Sequence, residues 1–448
     1  MRALWDHQQL AKDQALKFPK RLLAWDPRLG KTQGAIECIK TWGEKRGIIV
    51  APLLVCPMWS KLLEAEGYAV QDAYKGSCEA VGRTLRAKGD RVVVVNYDRL
   101  YTLVDRLIAF KARFIIGDES HWIKSPSAKR ARAFRRLAWQ IPFARLLSGT
   151  PAPNHYGDLW GQMTCIDPDT WGKSYGKYAN EYLIRHPMFP SQITGYRNLD
   201  KLERLLALQT HTVRREDVFG PDQYQFIERR LSFSSIKISL LYKRLAKEWV
   251  LDTPFVTAEH ILKRLVRLQQ FTSGYLPIDG GGLQEIHTLK VDAVLADLDE
   301  IFASGQKVIL FHLFKWEGEK YEKEIKVRFP GILVGRVRGG MDPNERTSVI
   351  NAVSSHDESS ITICQTRAGG IGVDFSNADH VFFVSNNYSW TDRKQAFDRI
   401  YKPGQRRIIT DYIIEGTIDQ AIAKAVASKE TVYNVVRSGN LQSLVFGE

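Results

Sequence analysis

Two short polar clusters in this 448-residue chain carry residue types suited to phosphate chemistry. The first is Gly30-Lys31-Thr32, which follows an apolar run and precedes a helical pattern. Amides and the dipole at a helix N-terminus favour an anion, so we expect Gly30 and Lys31 to hold phosphate and the Thr32 hydroxyl to hold Mg²⁺. Alone this signal is weak, because Trp25 stands where the full phosphate-loop pattern has its first glycine.

The second cluster is the adjacent pair Asp118 and Glu119, at the end of an apolar run that begins at Phe114. Parallel α/β sheets place ligands at such strand tips. We expect Asp118 to support Mg²⁺ and Glu119 to orient and deprotonate an attacking water, since phosphoryl transfer needs both functions. The alternative is a solvated acidic turn. Together, the two clusters favour ATP hydrolysis.

The elements that would position these clusters are short β-branched runs alternating with helix-like stretches, which predicts an α/β fold with parallel sheets flanked by helices. The predicted strands form two series: Arg21–Trp25, Gly47–Ala51, Arg91–Asn96, Phe114–Gly117 and Arg145–Leu147, then Lys307–Phe311, Gly331–Val334, Ile361–Cys364, His380–Val384 and Ile408–Ile413. Between the series we expect helices over Ile236–Val250 and His260–Gln270 and a loop at Asp279–Gly282. The predicted domains are residues 1–210, a helical insertion and connector at 211–290, and residues 291–448.

Composition restricts the class of protein. The net charge of +14 favours a polyanionic partner such as nucleic acid, with surplus solubilising surface charge as the alternative. Five scattered cysteines predict a reducing, cytoplasmic setting. The longest apolar stretch is short and contains prolines, and residues 1–7 lack a signal-peptide core, so we expect neither secretion nor membrane insertion.

Further motifs cover most of the chain. Asp118-Glu-Ser-His121 is followed by Ser148-Gly-Thr-Pro151, then by Thr366-Arg-Ala-Gly-Gly-Ile-Gly-Val-Asp374 and by the block Gln395–Gln405. In order and spacing they resemble superfamily-two helicases and translocases, specifically the Swi/Snf-like branch of double-stranded-DNA motors. The resemblance implies two RecA-like lobes with helical insertions between them, ATP and Mg²⁺ as cofactors, and a nucleotide site that depends on lobe closure.

The resemblance assigns roles to further residues of the first lobe. It makes Gln8 the adenine contact and places Pro52, Trp59 and Tyr97 near the DNA backbone, with a core position as the alternative for Trp59. The residues expected to couple the state of the γ-phosphate to lobe movement are His121, Ser148 and Thr150. Thr212-Val-Arg-Arg215 is similar to the family's paired arginines. The basic run Lys129–Arg136 can equally be a solvated helix face.

The second lobe is expected to contribute an arginine finger, Arg399. Other contacts implied by the resemblance are Gly372 and Asp374 to nucleotide, and Thr366, Arg367 and Trp390 to DNA. The chain departs from the family at Arg28, where glycine is usual, and at Lys402, where a second arginine is usual. Because lysine lacks the planar fork of arginine, Lys402, Arg406 or Arg407 could fill that role, or hydrolysis could be slow.

These features predict an ATP-dependent DNA helicase or translocase of compact bacterial or phage type, acting as a monomer. We expect mainly phosphate contacts on duplex, forked or branched DNA, in replication, recombination or repair. Two alternatives stay open: a DNA-binding protein in which ATP is a slow switch, and an RNA helicase.

Overall fold

The structure is a computed structural model, and it describes residues 3–87, 89–152, 155–187, 193–221, 223–248, 258–278, 281–366, 374–386 and 390–427. The chain divides into two compact units, Met1–Pro221 and Asp222–Glu448. No helix among the described residues is long and apolar enough to cross a membrane.

The first unit is built on a parallel sheet. Its strands are β1 (Lys20–Trp25), β2 (Gly47–Ala51), β3 (Val70–Asp72), β4 (Val92–Asn96), β5 (Phe114–Asp118), β6 (Phe143–Leu147) and β9 (Thr210–Val213), in the spatial order β3-β4-β2-β5-β6-β1-β9. All of these pairings are parallel. A separate antiparallel hairpin joins β7 (Leu183–Arg185) to β8 (Ile193–Tyr196).

Helices cover both faces of this sheet, which is why its central strands are continuous apolar runs rather than alternating ones. β2 and β4, for example, are buried along their whole length. The helices are α1 (Asp6–Asp13), α2 (Lys31–Trp42), α3 (Cys56–Ala65), α4 (Cys78–Leu85), α5 (Tyr97–Ala109), α6 (Lys129–Ala138), α7 (Trp160–Ile166), α8 (Pro168–Trp171), α9 (Tyr175–Tyr182), α10 (Leu199–Gln209) and α11 (Arg215–Phe219), with 3-10 turns at Ser120–Ile123 and Tyr156–Leu159.

The second unit has its own parallel sheet. Its strands are β10 (Tyr224–Leu231), β13 (Lys307–His312), β14 (Leu333–Val337), β15 (Ser360–Gln365), β16 (His380–Phe383) and β17 (Arg407–Ile414), in the order β10-β17-β16-β13-β15-β14, and β11 (Tyr275–Ile278) pairs with β12 (Gly282–Glu285) in a hairpin. The neighbours Phe382 and Phe383 of β16 point into two different core clusters, as the two-residue period of a strand requires.

The helices of the second unit are α12 (Ile236–Ala246), α13 (Ala258–Thr272), α14 (Leu289–Ala303), α15 (Lys315–Arg328), α16 (Pro343–Ser354), α17 (Trp390–Ile400) and α18 (Ile418–Ala427). The predicted α/β class is confirmed, since each unit is a parallel sheet with flanking helices.

Each predicted strand overlaps an observed one, although β14 begins later than predicted, at Leu333. The strands that were not predicted are β3, β7, β8, β9, β10, β11 and β12, and β12 begins at Gly282, which was predicted as loop. Residues 279 and 280 of the predicted loop lie outside the described residues. The segmentation at residues 210 and 290 stays a prediction, whereas the observed units divide after Pro221 and β9 pairs with β1 in the first sheet.

Candidate functional site

A tight loop at residues 26–30 joins β1 to α2 in the first unit. Gly30 caps the helix with φ of 66°, a left-handed conformation that favours glycine, and a Cβ there would lie 2.2 Å from Nε2 of Gln8. Arg28 also has a left-handed backbone, with φ of 72°. The chain therefore turns sharply at both positions before it enters α2, whose N-terminus lies at this loop.

Lys31, the first residue of α2, lies over this loop. Its Nζ donates hydrogen bonds to the carbonyl oxygens of Trp25 at 2.8 Å and Asp26 at 3.2 Å. Thr32 follows and is half-buried. The loop thus presents a cation, a hydroxyl and a helix N-terminus side by side, which is a donor set that fits a polyphosphate.

Residues of α1 brace the same loop. Nε2 of Gln8 donates to the Gly30 carbonyl oxygen at 3.2 Å, while Oε1 of Gln8 accepts from the Trp5 amide at 3.0 Å. The His7 ring nitrogen Nε2 lies 2.8 Å from the carbonyl oxygen of Leu29. His7 had no sequence signal, because a single histidine on a short helix has no distinctive spacing. The adenine contact of Gln8 stays a prediction.

The far end of the first unit also reaches the loop. The Arg215 amide donates to Oδ2 of Asp26 at 2.9 Å, and the Asp26 amide donates to the Val213 carbonyl oxygen at 3.0 Å. The Thr212–Arg215 segment, matched in sequence to paired arginines, is therefore a backbone anchor of the loop.

The acidic pair lies at the tip of β5. Asp118 is buried, its Oδ1 accepts from the Glu119 amide at 2.9 Å, and its Oδ2 accepts from the Trp59 indole at 2.9 Å. Burial, together with the nearby charge of Glu119, raises the pKa of Asp118 to about 6, while the positive charge of Lys31 opposes this rise. The positive charge of Lys31 therefore acts on the buried carboxyl group of Asp118.

Trp59 and Tyr97 occupy positions different from those expected of DNA contacts. Both side chains are 0% exposed. Tyr97 donates from its hydroxyl to the Asp118 carbonyl oxygen at 2.8 Å, as Trp59 donates to the carboxylate. Both aromatic residues thus donate hydrogen bonds to Asp118 from the core of the first unit. For Trp59, the alternative of a core position agrees with the structure. Pro52 is buried as well, after β2.

The predicted coupling residues lie together. Nδ1 of His121 lies 3.4 Å from Oε2 of Glu119 and 3.5 Å from Oγ of Ser148. Oγ of Ser148 also accepts from the Thr150 amide at 3.1 Å. Glu119 itself has a left-handed backbone, with φ of 49°.

A buried glutamine of α7, which sequence analysis did not single out, connects the same two loops. Gln162 accepts a hydrogen bond from the Ser120 hydroxyl at 2.7 Å and donates one to the Pro151 carbonyl oxygen at 2.5 Å. The signal that could have indicated Gln162 was an amide side chain within the mostly apolar stretch Leu159–Ile166.

The basic side chains of α6 contact another helix of the first unit. Arg130 lies 3.5 Å from Asp98, Arg136 lies 2.7 Å from Asp105, and Lys129 stacks over Tyr101 at 5.2 Å. These partners belong to α5, so the run forms an ion-paired helix face, consistent with the alternative of a solvated face.

In the second unit, Thr366 is buried and donates to the His312 carbonyl oxygen at 3.2 Å, while Asp374 is exposed and accepts from the Ser376 amide at 2.8 Å. Arg399 is half-buried on α17, and its carbonyl oxygen accepts from the Phe375 amide at 3.0 Å. Two motifs predicted from sequence, those of Asp374 and Arg399, are therefore adjacent.

The candidates for a second arginine differ in exposure. Lys402 and Arg406 are exposed. The Arg407 side chain is 3% exposed, donates to the Ser376 carbonyl oxygen at 2.7 Å, and lies 3.4 Å from Asp379. Arg407 is thus engaged inside the unit and is not available as a substitute. Arg367, Gly372 and the side chain of Trp390 lie outside the described residues.

These arrangements define a class of protein. A phosphate loop and an acidic pair at the carboxyl ends of β1 and β5, which are separated by β6 in the same parallel sheet, are the layout of a nucleoside-triphosphate-hydrolysing α/β unit. Thr32 and Asp118 offer a hydroxyl and a carboxylate, which are the hard oxygen ligands that Mg²⁺ takes together with phosphate oxygens.

The family follows from sequence comparison. The model of the SNF2-related domain matches residues 10–246, more than half of the chain, and the model of the Helicase conserved C-terminal domain matches residues 293–404. The chain belongs to the SNF2-related family, and the predicted Swi/Snf-like resemblance is confirmed.

Individual relatives are distant. The chain is 25% identical over 438 residues to YwqA of Bacillus subtilis (strain 168), covering 93% of this chain and 46% of that protein. It is 24% identical over 382 residues to the mouse DNA annealing helicase and endonuclease ZRANB3, covering 80% of this chain and 33% of the relative. The chain therefore spans less than half the length of these curated relatives.

Among solved structures, the Sulfolobus solfataricus SWI2/SNF2 ATPase core in complex with dsDNA is similar at 20% identity and a TM-score of 0.45, covering 99% of this chain and 97% of that one.

Proposed function

We propose that this protein is a DNA-stimulated ATPase that converts hydrolysis into movement along duplex DNA. The observation that carries the proposal lies in the first unit: the charge of Lys31 in the phosphate loop acts on buried Asp118, and His121 links Glu119 to Ser148 of the Ser148–Pro151 segment. The net charge of +14 supports a polyanionic partner, and membership of the SNF2-related family supports a DNA motor.

Binding is assigned to the phosphate loop. Lys31 would exchange its hydrogen bonds with the Trp25 and Asp26 carbonyl oxygens for phosphate oxygens, which are stronger, charge-assisted partners. Because Gln8 and His7 contact the loop backbone at Gly30 and Leu29, the loop is held in shape before this exchange. Gln8 would also contact adenine.

Hydrolysis is assigned to the acidic pair. Thr32 and Asp118 would hold Mg²⁺, which when bound neutralises charge on the transferred phosphoryl group. Asp118 is held in place by Trp59 and by the Glu119 amide. The Glu119 side chain is 28% exposed, so water can reach it, and it would orient and deprotonate the attacking water.

Coupling is assigned to His121, Ser148 and Thr150. His121 contacts both Glu119 and Ser148, so a displacement of the Glu119 carboxylate changes the environment of the Ser148–Pro151 segment. In the second unit we propose Arg399 as the arginine finger, Asp374 and Gly372 as nucleotide contacts, Thr366, Arg367 and Trp390 as DNA contacts, and exposed Lys402 as the second cation.

The deciding experiment is steady-state ATP hydrolysis with no nucleic acid, single-stranded DNA, duplex DNA, a fork, a four-way junction and RNA. We expect duplex or branched DNA to raise kcat, and Lys31→Ala and Glu119→Gln to abolish the effect, with loss of about three orders of magnitude in kcat for Glu119→Gln. Stimulation by RNA alone would replace the DNA motor with an RNA motor.

A second candidate function is a DNA-binding protein in which ATP is a slow switch. The left-handed Arg28 in the phosphate loop and lysine at position 402 favour it. A wild-type kcat that no nucleic acid raises, with tight ATP binding retained, would establish this function and exclude the motor.

The substrates that best stimulate hydrolysis also test the biological setting. Preference for forks or four-way junctions over plain duplex supports a role in replication, recombination or repair, whereas equal stimulation by plain duplex supports a translocase. The name of ZRANB3, a DNA annealing helicase, makes the branched arms of the experiment worth including.

A further inference from the structure

Gln162 lies in α7, outside every motif discussed above, with its side chain buried between two of them. We propose that Gln162 is a positioning residue that ties the acidic-pair loop to the Ser148–Pro151 segment and so transmits the nucleotide state that DNA binding reads. The inference rests on the proposed function and names a further residue for the same site.

The contacts of Gln162 use both ends of its amide. Oε1 accepts from the Ser120 hydroxyl at 2.7 Å, and Nε2 donates to the Pro151 carbonyl oxygen at 2.5 Å and to the Asp158 carbonyl oxygen at 3.2 Å. Ser120 follows Glu119 directly, and Pro151 follows Thr150. One side chain therefore bridges the loop of the water-activating carboxylate and the loop of the predicted coupling residues.

This bridge is tighter than the one that runs through histidine. His121 lies 3.5 Å from Ser148, which is at the outer limit of a hydrogen bond. The Gln162 hydrogen bonds to Ser120 and Pro151 are much shorter, and Gln162 and Ser120 are both 0% exposed. Because hydrogen bonds strengthen where water is excluded, the firmer mechanical link between the two loops passes through Gln162.

The backbone of α7 is fitted to the same loop. A Cβ on Gly161 would lie 2.2 Å from the Ile123 carbonyl oxygen, so only glycine permits this approach. Lys124 of the loop lies 3.7 Å from Asp158, which precedes α7. The helix and the acidic-pair loop are therefore closely packed, and Gln162 extends this contact to Pro151.

The position needs a polar side chain only for this bridge. An apolar residue would fill the same buried volume, and the adjacent positions along the chain, such as Leu159 and Met163, are buried core residues. Burying a glutamine is costly unless every hydrogen-bonding group is satisfied, and here both loops supply the partners.

The test compares Gln162→Leu with Gln140→Leu in the full chain. Gln140 is the matched control, because it is exposed on the first unit and its side-chain amide donates to the Arg136 carbonyl oxygen within the same stretch of chain. The readout is the ratio of ATPase rate with saturating duplex DNA to the rate without DNA, measured on the same sample. This ratio cancels any loss of folded protein, so a merely structural role would leave it unchanged.

We expect the ratio to fall about tenfold in Gln162→Leu, with KM for ATP within about threefold of wild type, and to stay at the wild-type value in Gln140→Leu. A wild-type ratio in Gln162→Leu overturns the inference while leaving the motor intact. A ratio of one in the wild type overturns the proposed function itself, and the inference with it.

Gln162→Glu covers the case in which the leucine variant does not fold, because it preserves shape. A protonated carboxyl can still donate to the Pro151 carbonyl oxygen, whereas an ionised one repels it. We expect the stimulation ratio of this variant to fall with rising pH relative to wild type. A ratio that follows the wild type across the pH range overturns the inference.

Discussion

The indole Nε1 of Trp59 donates a hydrogen bond of 2.9 Å to Oδ2 of Asp118, joining α3 to the tip of β5 inside the first unit. Motif similarity had suggested that Trp59 faces DNA. Its position instead makes it a support for the carboxylate proposed to hold Mg²⁺, and this difference can be measured.

Trp59→Phe keeps an aromatic ring but removes the donor. Loss of a buried hydrogen bond to a charged group is expected to lower stability by about 2 kcal/mol. We further expect a raised Mg²⁺ requirement in ATPase titrations. Trp139→Phe is the control, since the Trp139 indole donates to the Thr164 carbonyl oxygen away from the site. Weakened DNA affinity with an unchanged Mg²⁺ requirement would instead return Trp59 to the DNA surface.

The raised pKa of Asp118 predicts a pH-dependent stability. Burial favours the protonated form in the folded chain, so this group contributes stability that is fully present below its ordinary pKa near 3.8 and lost as pH rises through about 6. We expect Asp118→Asn to lack this component, so that its Tm falls less than that of the wild type between pH 4 and 7. Parallel Tm curves for the two proteins would contradict the assignment.

Arg28→Gly tests the left-handed loop position. Arg28 and Lys111 have φ of 72° and 54°, a region that costs a non-glycine residue about 1 kcal/mol. We expect Arg28→Gly to raise Tm in thermal unfolding about as much as Lys111→Gly, which lies at the end of α5 and serves as the comparison. A lower Tm only for Arg28→Gly would mean that the arginine side chain stabilises the loop.

Arg407 and Arg406 are neighbours with opposite environments. Arg407→Met removes the guanidinium that bonds to the Ser376 carbonyl oxygen and pairs with Asp379, and it is expected to cost about 2 kcal/mol in urea unfolding. Arg406→Met, at an exposed position, is expected to change stability by less than about 0.5 kcal/mol. Equal effects of the two substitutions would show that the buried network around Arg407 is not stabilising.

Strands that are buried on both faces were predictable, because runs such as Val92–Asn96 are apolar throughout. β9 and β10 were not predicted, for different reasons. β9 (Thr210–Val213) is short and half threonine, and it forms a strand by pairing with β1, which is distant in the sequence. β10 (Tyr224–Leu231) is an edge strand with charged, exposed residues, so its pairing with β17 leaves no apolar alternation in the sequence.

The site shows the same division. The sequence alone could predict four residues of the candidate site, because spacing along one loop or strand tip is local. These residues are Gly30, Lys31, Asp118 and Glu119. His7, Gln162 and the backbone of Arg215 could not, since each contributes through a contact that the fold creates between distant segments. For Trp59, motif similarity predicted that the residue lies near the DNA backbone, but it did not predict that the side chain points into the core toward Asp118.

The anchoring of Asp26 by Arg215 has a consequence for the ribosome-bound chain. The phosphate loop emerges early, but β9 and the amide that holds Asp26 follow only after nearly the whole first unit has been made. At about 5–20 residues per second, that interval is on the order of 10–40 seconds. A nascent chain therefore carries an unanchored phosphate loop through most of the synthesis of its first unit, and the anchor forms only after Arg215 has been added.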